Sequence, residues 1–390
     1  MGWALTPWAA ARALAAYTWN NSPTRIVRGA RRVHDAHAAK TTVITSEANG
    51  LTIAYAGLPI GESNILQLLE ERRDRRTDEQ PPRHRQSVRW QELAAGHFPP
   101  ADLVVIGAEE QRMRSLPTAG SLTAPFRLHL MVDLPPSPQD LRNLISRRED
   151  QQFRRSQREH HWTLTEDRSP KAFEDFYWNM HLPTMRNRHG DRSRTEKPDI
   201  ARYAVLGSGT LLLLREAGEP IAGALCHWSK RLKTLTTRLL GVRGGLEEHY
   251  RSGAFKALYH LLMAWSCSRG IPRVDFYGTE ALISKGIFQW KRRLGAGPVL
   301  PPNHFATKRL RVYPRHDTPA LRDFLVANPL IRLESDSTMT PVYFTDAHRP
   351  PRLDYSAHCP GLAEPVLLDL DTWLPACREA IGDHAPVRAI

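Results

Sequence analysis

Residues 273–277 (RVDFY) read as a short strand, along which side chains alternate between two faces. Asp275 and Tyr277 therefore share one face, and Val274 and Phe276 the other. A phenol so placed can pass a proton to a departing group, and the carboxylate can accept hydrogen bonds from an incoming amine. Lys291 follows on a short helix, GIFQWKRRLG, where a cation can hold a phosphate or stabilise charge on an attacked carbonyl. Arg186, Arg188 and His189 crowd beside Gly190 on a loop after a helix, a cluster suited to a phosphate or carboxylate. Arg251 and Gly253 stand where 249–254 (HYRSGA) opens a long helix, whose first turn offers free backbone N–H groups to an anion. The motifs GxSxG, Walker A, HExxH and GxGxxG do not occur.

A chain of 390 residues exceeds one ordinary core and predicts two domains with an extension. With 41% hydrophobic and 24% charged residues it is globular rather than disordered. Nine of the 54 basic residues are lysines, which leaves 45 arginines and a net charge of +13. Arginine grips phosphate or carboxylate with a planar fork, so one reading is a polyanionic partner; compositional bias is the other. Cys226, Cys267, Cys359 and Cys377 form no CxxC pair, which argues against zinc sites and fits reduced thiols in the cytoplasm. The N-terminal run lacks a basic leader and is split by Pro7, so 7–19 reads as a helix packed on the body. No later run reaches membrane-spanning length, and no metal is implied.

The elements follow from pattern. Residues 41–46 and 51–56 are β-branched runs around Asn49-Gly50, a hairpin signal, and a helix follows over 63–73. The arginine-rich stretch 72–89 reads as an exposed loop, while 101–107 and 126–132 read as strands. Helices are expected over 140–158 and 169–185. Strands are expected over 201–205, 210–216, 221–228 and 233–242, then the helix 252–269 and the strand 273–277. A helix over 285–294, a strand at 309–313, and strand-like runs at 339–344 and 366–370 complete the chain.

Four stretches within this order are similar to the C-terminal module of FemAB-like proteins, a branch of the GNAT (acetyltransferase-like) superfamily. They are ISRREDQQFRRSQREHHWTLTE, FEDFYWNMHLPTMRNRHG, SGAFKALYHLLMAWSCSRG leading into VDFYG, and GIFQWKRRLG. The resemblance covers about 170 residues, from 142 to 313. It implies an α/β, GNAT-like fold with two GNAT-like halves in tandem and a cleft between them. The first half would span 1–140 in degenerate form, the second 141–314, and 315–390 would be an extension packed back on the body. It also implies an N-acyltransferase with no tightly bound cofactor, using acyl-CoA or aminoacyl-tRNA as co-substrate. The acceptor would be a small-molecule or cell-envelope precursor amine, and tRNA a partner. Lys291 falls where the family places a cleft-facing lysine. The family's donor-binding turn reads Q/R-x-x-G-x-G/A; here Arg251, Gly253 and Ala254 keep part of it, a departure compatible with an aminoacyl-tRNA donor. A different class of function is a non-catalytic basic module binding RNA or an anionic glycan. Convergence of Asp275, Tyr277 and Lys291 favours the enzyme.

Overall fold

The computed structural model describes residues 7–36, 40–74, 81–190 and 195–381. Its strands, in chain order, begin with β1 (Lys40–Ala48), β2 (Leu51–Gly57), β3 (Arg83–Arg89), β4 (Leu103–Glu109) and β5 (Leu122–Pro125). Next come β6 (Leu128–Asp133), β7 (Thr163–Glu166), β8 (Gly209–Glu216), β9 (Glu219–Ser229), β10 (Thr234–Val242), β11 (Arg273–Thr279) and β12 (Gly297–Val299). The last are β13 (Lys308–Pro314), β14 (Leu330–Leu333), β15 (Met339–Thr345) and β16 (Val366–Asp369). They form sheets in the orders β3-β1-β2-β4-β13-β5, β12-β6-β11-β10-β9-β8-β7 and β14-β15-β16.

Two compact units result. Residues up to Asn21, with His129–Tyr277 and Trp290–Pro298, make one; Ser22–Leu128, Gly278–Gln289 and the residues from Val299 onward make the other. These units cut across the expected boundaries at 140 and 314. The 309–313 run, expected in the second half, lies as β13 between β4 and β5 in the six-stranded sheet. The 126–132 run, expected in the first half, contributes β6 to the seven-stranded sheet.

In the six-stranded sheet, Asn49 and Gly50 both adopt positive φ, 52° and 71°, as a tight β1–β2 hairpin requires. β4 is buried along its whole length, as its unbroken apolar run predicts, and pairs in parallel with β2. The expectation of a loop over 72–89 is corrected in part: Arg83–Arg89 is a strand paired antiparallel with β1. Charged side chains suit it because β3 is an edge strand, where they discourage further pairing. Arg83 is bonded to Glu70, and Arg85 to Glu62. Residues 75–80 of that stretch lie outside the described residues.

The seven-stranded sheet carries a helical layer on one face. Phe173, Phe176 and Met180 pack with Leu211, Leu213, Leu225 and Leu239 in one apolar cluster. Each such side chain contributes roughly 1.5–3 kcal/mol when fully buried. The same cluster takes Ala201, Val205 and Leu206. Residues 201–205, expected as a strand, belong instead to a helical segment that starts at Pro198 and continues through Ala201–Leu206. Proline at a first helical position favours that start, and a five-residue apolar run cannot by itself distinguish helix from strand. The Ala254–Ser268 helix buries Leu258, Leu262 and Met263 and leads from β10 to β11, which pair in parallel as expected for 233–242 and 273–277.

Glu149 ties the Arg147–His160 helix into this unit. It is 3% exposed, accepts hydrogen bonds from Lys256 (3.3 Å) and the Trp290 indole (3.2 Å), and stands 3.8 Å from His260 Nε2. Burial alone would raise its pKa, but His260, Trp290 and Lys256 together lower it from 4.5 to about 2. A carboxyl whose folded pKa is depressed adds stability above its unfolded value and loses it as pH falls through the folded one. Glu149→Gln should therefore be less stable than wild type at neutral pH. The gap should close as pH drops from 4.5 toward about 2. Urea unfolding across that range measures it, and a gap independent of pH would contradict the assignment.

Candidate active site

β10 and β11 pair only through Thr234–Thr236 and Arg273–Asp275, and then part. The cause lies in both strands. β10 carries a bulge against β9 between Thr237 and Leu239, which makes Arg238 the extra residue. A bulge bends its strand and re-aims a side chain, and bulges recur beside active sites. β11 turns at Tyr277, whose φ of +66° lies in the left-handed region, at a cost of about 1–3 kcal/mol for a non-glycine residue.

The side chains beside this opening form one polar network. Asp275, 1% exposed, accepts a hydrogen bond from the Tyr277 backbone N–H at 2.8 Å through one carboxylate oxygen. Its other oxygen lies 2.7 Å from His129 Nδ1 of β6. A carboxylate only accepts, so Nδ1 carries the proton in this pair. His129 is itself buried, and its Nε2 has no hydrogen-bond partner among the described residues. The Tyr277 ring lies 4.9 Å from that of His129, and the Arg238 guanidinium sits 4.2 Å over the Tyr277 ring.

Arg238 is a buried cation with compensation on several sides. It donates to Asn21 Oδ1 at 3.0 Å, pairs with Glu196, and lies 5.3 Å from the Tyr17 ring centre. Burial works against its charge, but Tyr277, Tyr17 and Glu196 outweigh that and push its pKa up. The same burial, reinforced by the Arg238 charge, drives His227 down to about 4, so that imidazole is neutral at neutral pH.

Lys291 does not face open space. It is 4% exposed, and its ammonium donates to the Phe276 carbonyl on β11, which corrects the expectation of a cleft-facing lysine. A lysine in an apolar setting takes the nearest strong acceptor, and here that is a strand carbonyl. Asp275, Tyr277 and Lys291 therefore do meet at the end of β11, with Lys291 bound to its backbone.

The second expected group lies around the turn after β10. Arg186 and Arg188 are on the Leu182–His189 helix rather than on a loop. Arg188 stacks over Tyr250 at 4.2 Å and Phe255 at 5.0 Å, at the start of the Ala254–Ser268 helix. Arg186 is exposed, and the His189 side chain lies outside the described residues. Gly253, at φ +92°, begins the helix, and Arg251 is exposed with Glu247 3.9 Å away. His129 and Arg238 were not anticipated from the sequence. The available signal was a single ionisable residue inside each of two strand runs, LHLMV and TLTTRLLGV. Such a residue must find a partner, which makes it a candidate worth pairing.

Residues 142–292, which include Arg238, Asp275, Tyr277 and Lys291, match the family model of the acetyltransferase (GNAT) domain. The chain carries a GNAT acyltransferase domain over this stretch. Among solved structures, the chain resembles L-PGS from Bacillus licheniformis at 11% identity and TM-score 0.36, covering 82% of this chain and 95% of that one. It also resembles FemX, at 12% identity and TM-score 0.37 over 69% and 83% of the two chains. A putative GNAT-family acetyltransferase from Novosphingobium aromaticivorans gives 14% identity and TM-score 0.28 over 58% and 81%. No curated protein matches the chain. Among the described residues no His, Cys, Asp or Glu cluster is placed to hold a metal ion, and no helix is long and apolar enough to cross a membrane.

The buried position of Lys291 changes what its removal does to this GNAT domain. Lys291→Ala strips the Phe276 carbonyl of a donor and leaves a cavity, so unfolding free energy should fall by about 2–4 kcal/mol. Lys291→Met keeps most of the volume and should cost about 1–2 kcal/mol. Denaturant melts of the three proteins test this. Full stability in Lys291→Ala would return the residue to the open position the sequence suggested.

Proposed function

We infer that this chain moves an acyl or aminoacyl group from an activated donor to the nitrogen of an amine, as a FemAB-like member of its superfamily. The observation that carries the reading is the parting of β10 and β11 at Asp275 within the matched segment. A phenol, a carboxylate–imidazole pair and a guanidinium meet where the strands part. Acyl transfer to an amine requires a place for the carbonyl, a proton acceptor for the nitrogen and a proton donor for the leaving group. Tyr277 is the proton donor in this reading. Lys291 acts through the β11 backbone as a positioning residue.

The donor is acyl-CoA or aminoacyl-tRNA, and both bring phosphate. The turn before the Ala254–Ser268 helix suits phosphate in either form. Gly253 leaves the backbone approachable there, since a Cβ at that position would meet nothing nearer than 3.6 Å. Arg188, held in place by its two aromatic neighbours, and Arg251, exposed two residues before Gly253, supply the charge. The acceptor is an amine of a small molecule or a cell-envelope precursor.

A comparison of acetyl-CoA with a charged tRNA pool separates the donors. One of them should raise the melting temperature, since a ligand at 100 times its Kd adds about 2.7 kcal/mol to stability. Arg188→Ala and Arg251→Ala should each weaken that donor about 3- to 20-fold, on the scale of one charge-assisted contact. Equal, salt-sensitive binding of every polyanion without turnover would make the chain a basic RNA- or glycan-binding module instead.

A further inference from the structure

Burying an imidazole with one nitrogen unbonded costs about 1–3 kcal/mol, and native proteins keep such groups where something else uses them. His129 is such a group. It is 2% exposed, its Nδ1 is fixed on Asp275 at 2.7 Å, and its Nε2 has no partner among the described residues. Asp275 is fixed in turn by the Tyr277 N–H at 2.8 Å, while the Thr237 hydroxyl reaches the Asp275 carbonyl at 3.4 Å. The carboxylate therefore holds the ring in the tautomer whose Nε2 presents a lone pair. Tyr277, the proton donor of the reading above, lies ring to ring with it at 4.9 Å.

We propose that His129 is the catalytic base of this enzyme and that Asp275 is its positioning residue. This rests on the acyl-transfer reading and assigns the acceptor class: an amine that arrives as an ammonium ion and must be deprotonated before it attacks. The acceptor ammonium gives one proton to His129 Nε2, and its nitrogen then forms the C–N bond to the donor carbonyl. The carbon–sulfur bond of an acyl thioester, or the carbon–oxygen bond of an aminoacyl ester, breaks as the intermediate collapses. The leaving thiolate or alkoxide receives the proton that the new amide nitrogen sheds, relayed through Tyr277. His129 returns its own proton to solvent. No oxidant or further reactant is required. Asp275 thus changes role relative to the sequence reading, from contacting the amine to orienting the group that does.

The test has a spectroscopic and a kinetic arm on the full chain. In 15N spectra of histidine-labelled protein at neutral pH, the His129 signals are assigned by their loss in His129→Gln. Nδ1 should be protonated and Nε2 should have the shift of an unprotonated acceptor. Asp275→Asn should redistribute the tautomer while leaving the ring in place. A wild-type ring with its proton on Nε2 overturns the proposal. The kinetic arm uses acetyl-CoA, and separately a charged tRNA pool, with two probe acceptors: ethanolamine, an ammonium ion at neutral pH, and hydroxylamine, which is mostly unprotonated there. His129→Gln should lose about 10²- to 10⁴-fold on ethanolamine, the usual scale of a general base, and less than about 10-fold on hydroxylamine. Asp275→Asn should show the same bias, by up to about 10⁴-fold, as when an orienting carboxylate is removed from a base. Equal losses on both acceptors, no loss at all, or a wild type that uses only hydroxylamine each overturn the base. A wild type silent with both donors and both acceptors removes the acyl-transfer reading itself. His129→Gln is checked for folding by its melting temperature, and Asp275→Asn carries the kinetic test if that variant unfolds.

Discussion

An ionised carboxylate leaves water only where protein donors replace its hydration. Asp275 meets that condition with two groups, the His129 ring and the Tyr277 backbone N–H, and much of the site follows from the second. For an N–H two residues onward to reach back to the side chain, the strand has to turn, as aspartate commonly makes a chain do. The turn puts Tyr277 at φ +66° and ends the pairing of β11 with β10 at Asp275 itself. Beside that turn the Phe276 carbonyl accepts from Lys291. One buried charge thus accounts for the strained residue and the end of the ladder.

The arginine excess looked like the footprint of a polyanion, and most of the described arginines have other employment. Arg322 binds Asp317, Asp346 and Asp371, Arg243 grips Asp175 with both terminal nitrogens, and Arg73 bonds the Ser46 and Leu51 carbonyls. Fork geometry explains the preference: a guanidinium spans two acceptors where an ammonium would satisfy one at a time. Net charge therefore locates no ligand here. Arg251, with an 82% exposed side chain beside a helix start, says more about a phosphate than the total does.

The strands were readable because their signals are local. The Asn49-Gly50 hairpin, the β8–β9 hairpin and the β10–helix–β11 order all appear where alternation and turn residues placed them. What failed was nonlocal. Residues 83–89 look like a loop until β1 is seen alongside, and 201–205 look like a strand until Pro198 is given its weight as a helix start. In the site, Asp275 and Tyr277 were legible because both lie on one strand. His129 was not, since it stands 146 positions before its partner and nothing between them marks the pairing. Lys291 was legible as a residue but not as a position, because burial depends on neighbours the local sequence does not name.

The network also has to be prevented from relaxing, and the apolar side of the sheet does this. Leu239, next to the bulged Arg238, is buried in the cluster with Phe176 and Met180. Two residues later, Gly241 brings β10 so close to the helix backbone that a Cβ there would fall 2.5 Å from the Met180 carbonyl carbon. A shift of one residue along β10 would exchange the two faces, carrying the guanidinium into the leucine cluster and the leucine toward Tyr277. Burying an unpaired charge costs far more than the bulge does, so the register cannot slip. Close packing at Leu239 and Gly241 thus fixes the direction of Arg238 from behind. With Arg238 fixed, the Tyr277 ring is confined between a guanidinium and an imidazole, and the strain at its backbone is retained because neither neighbour can move away.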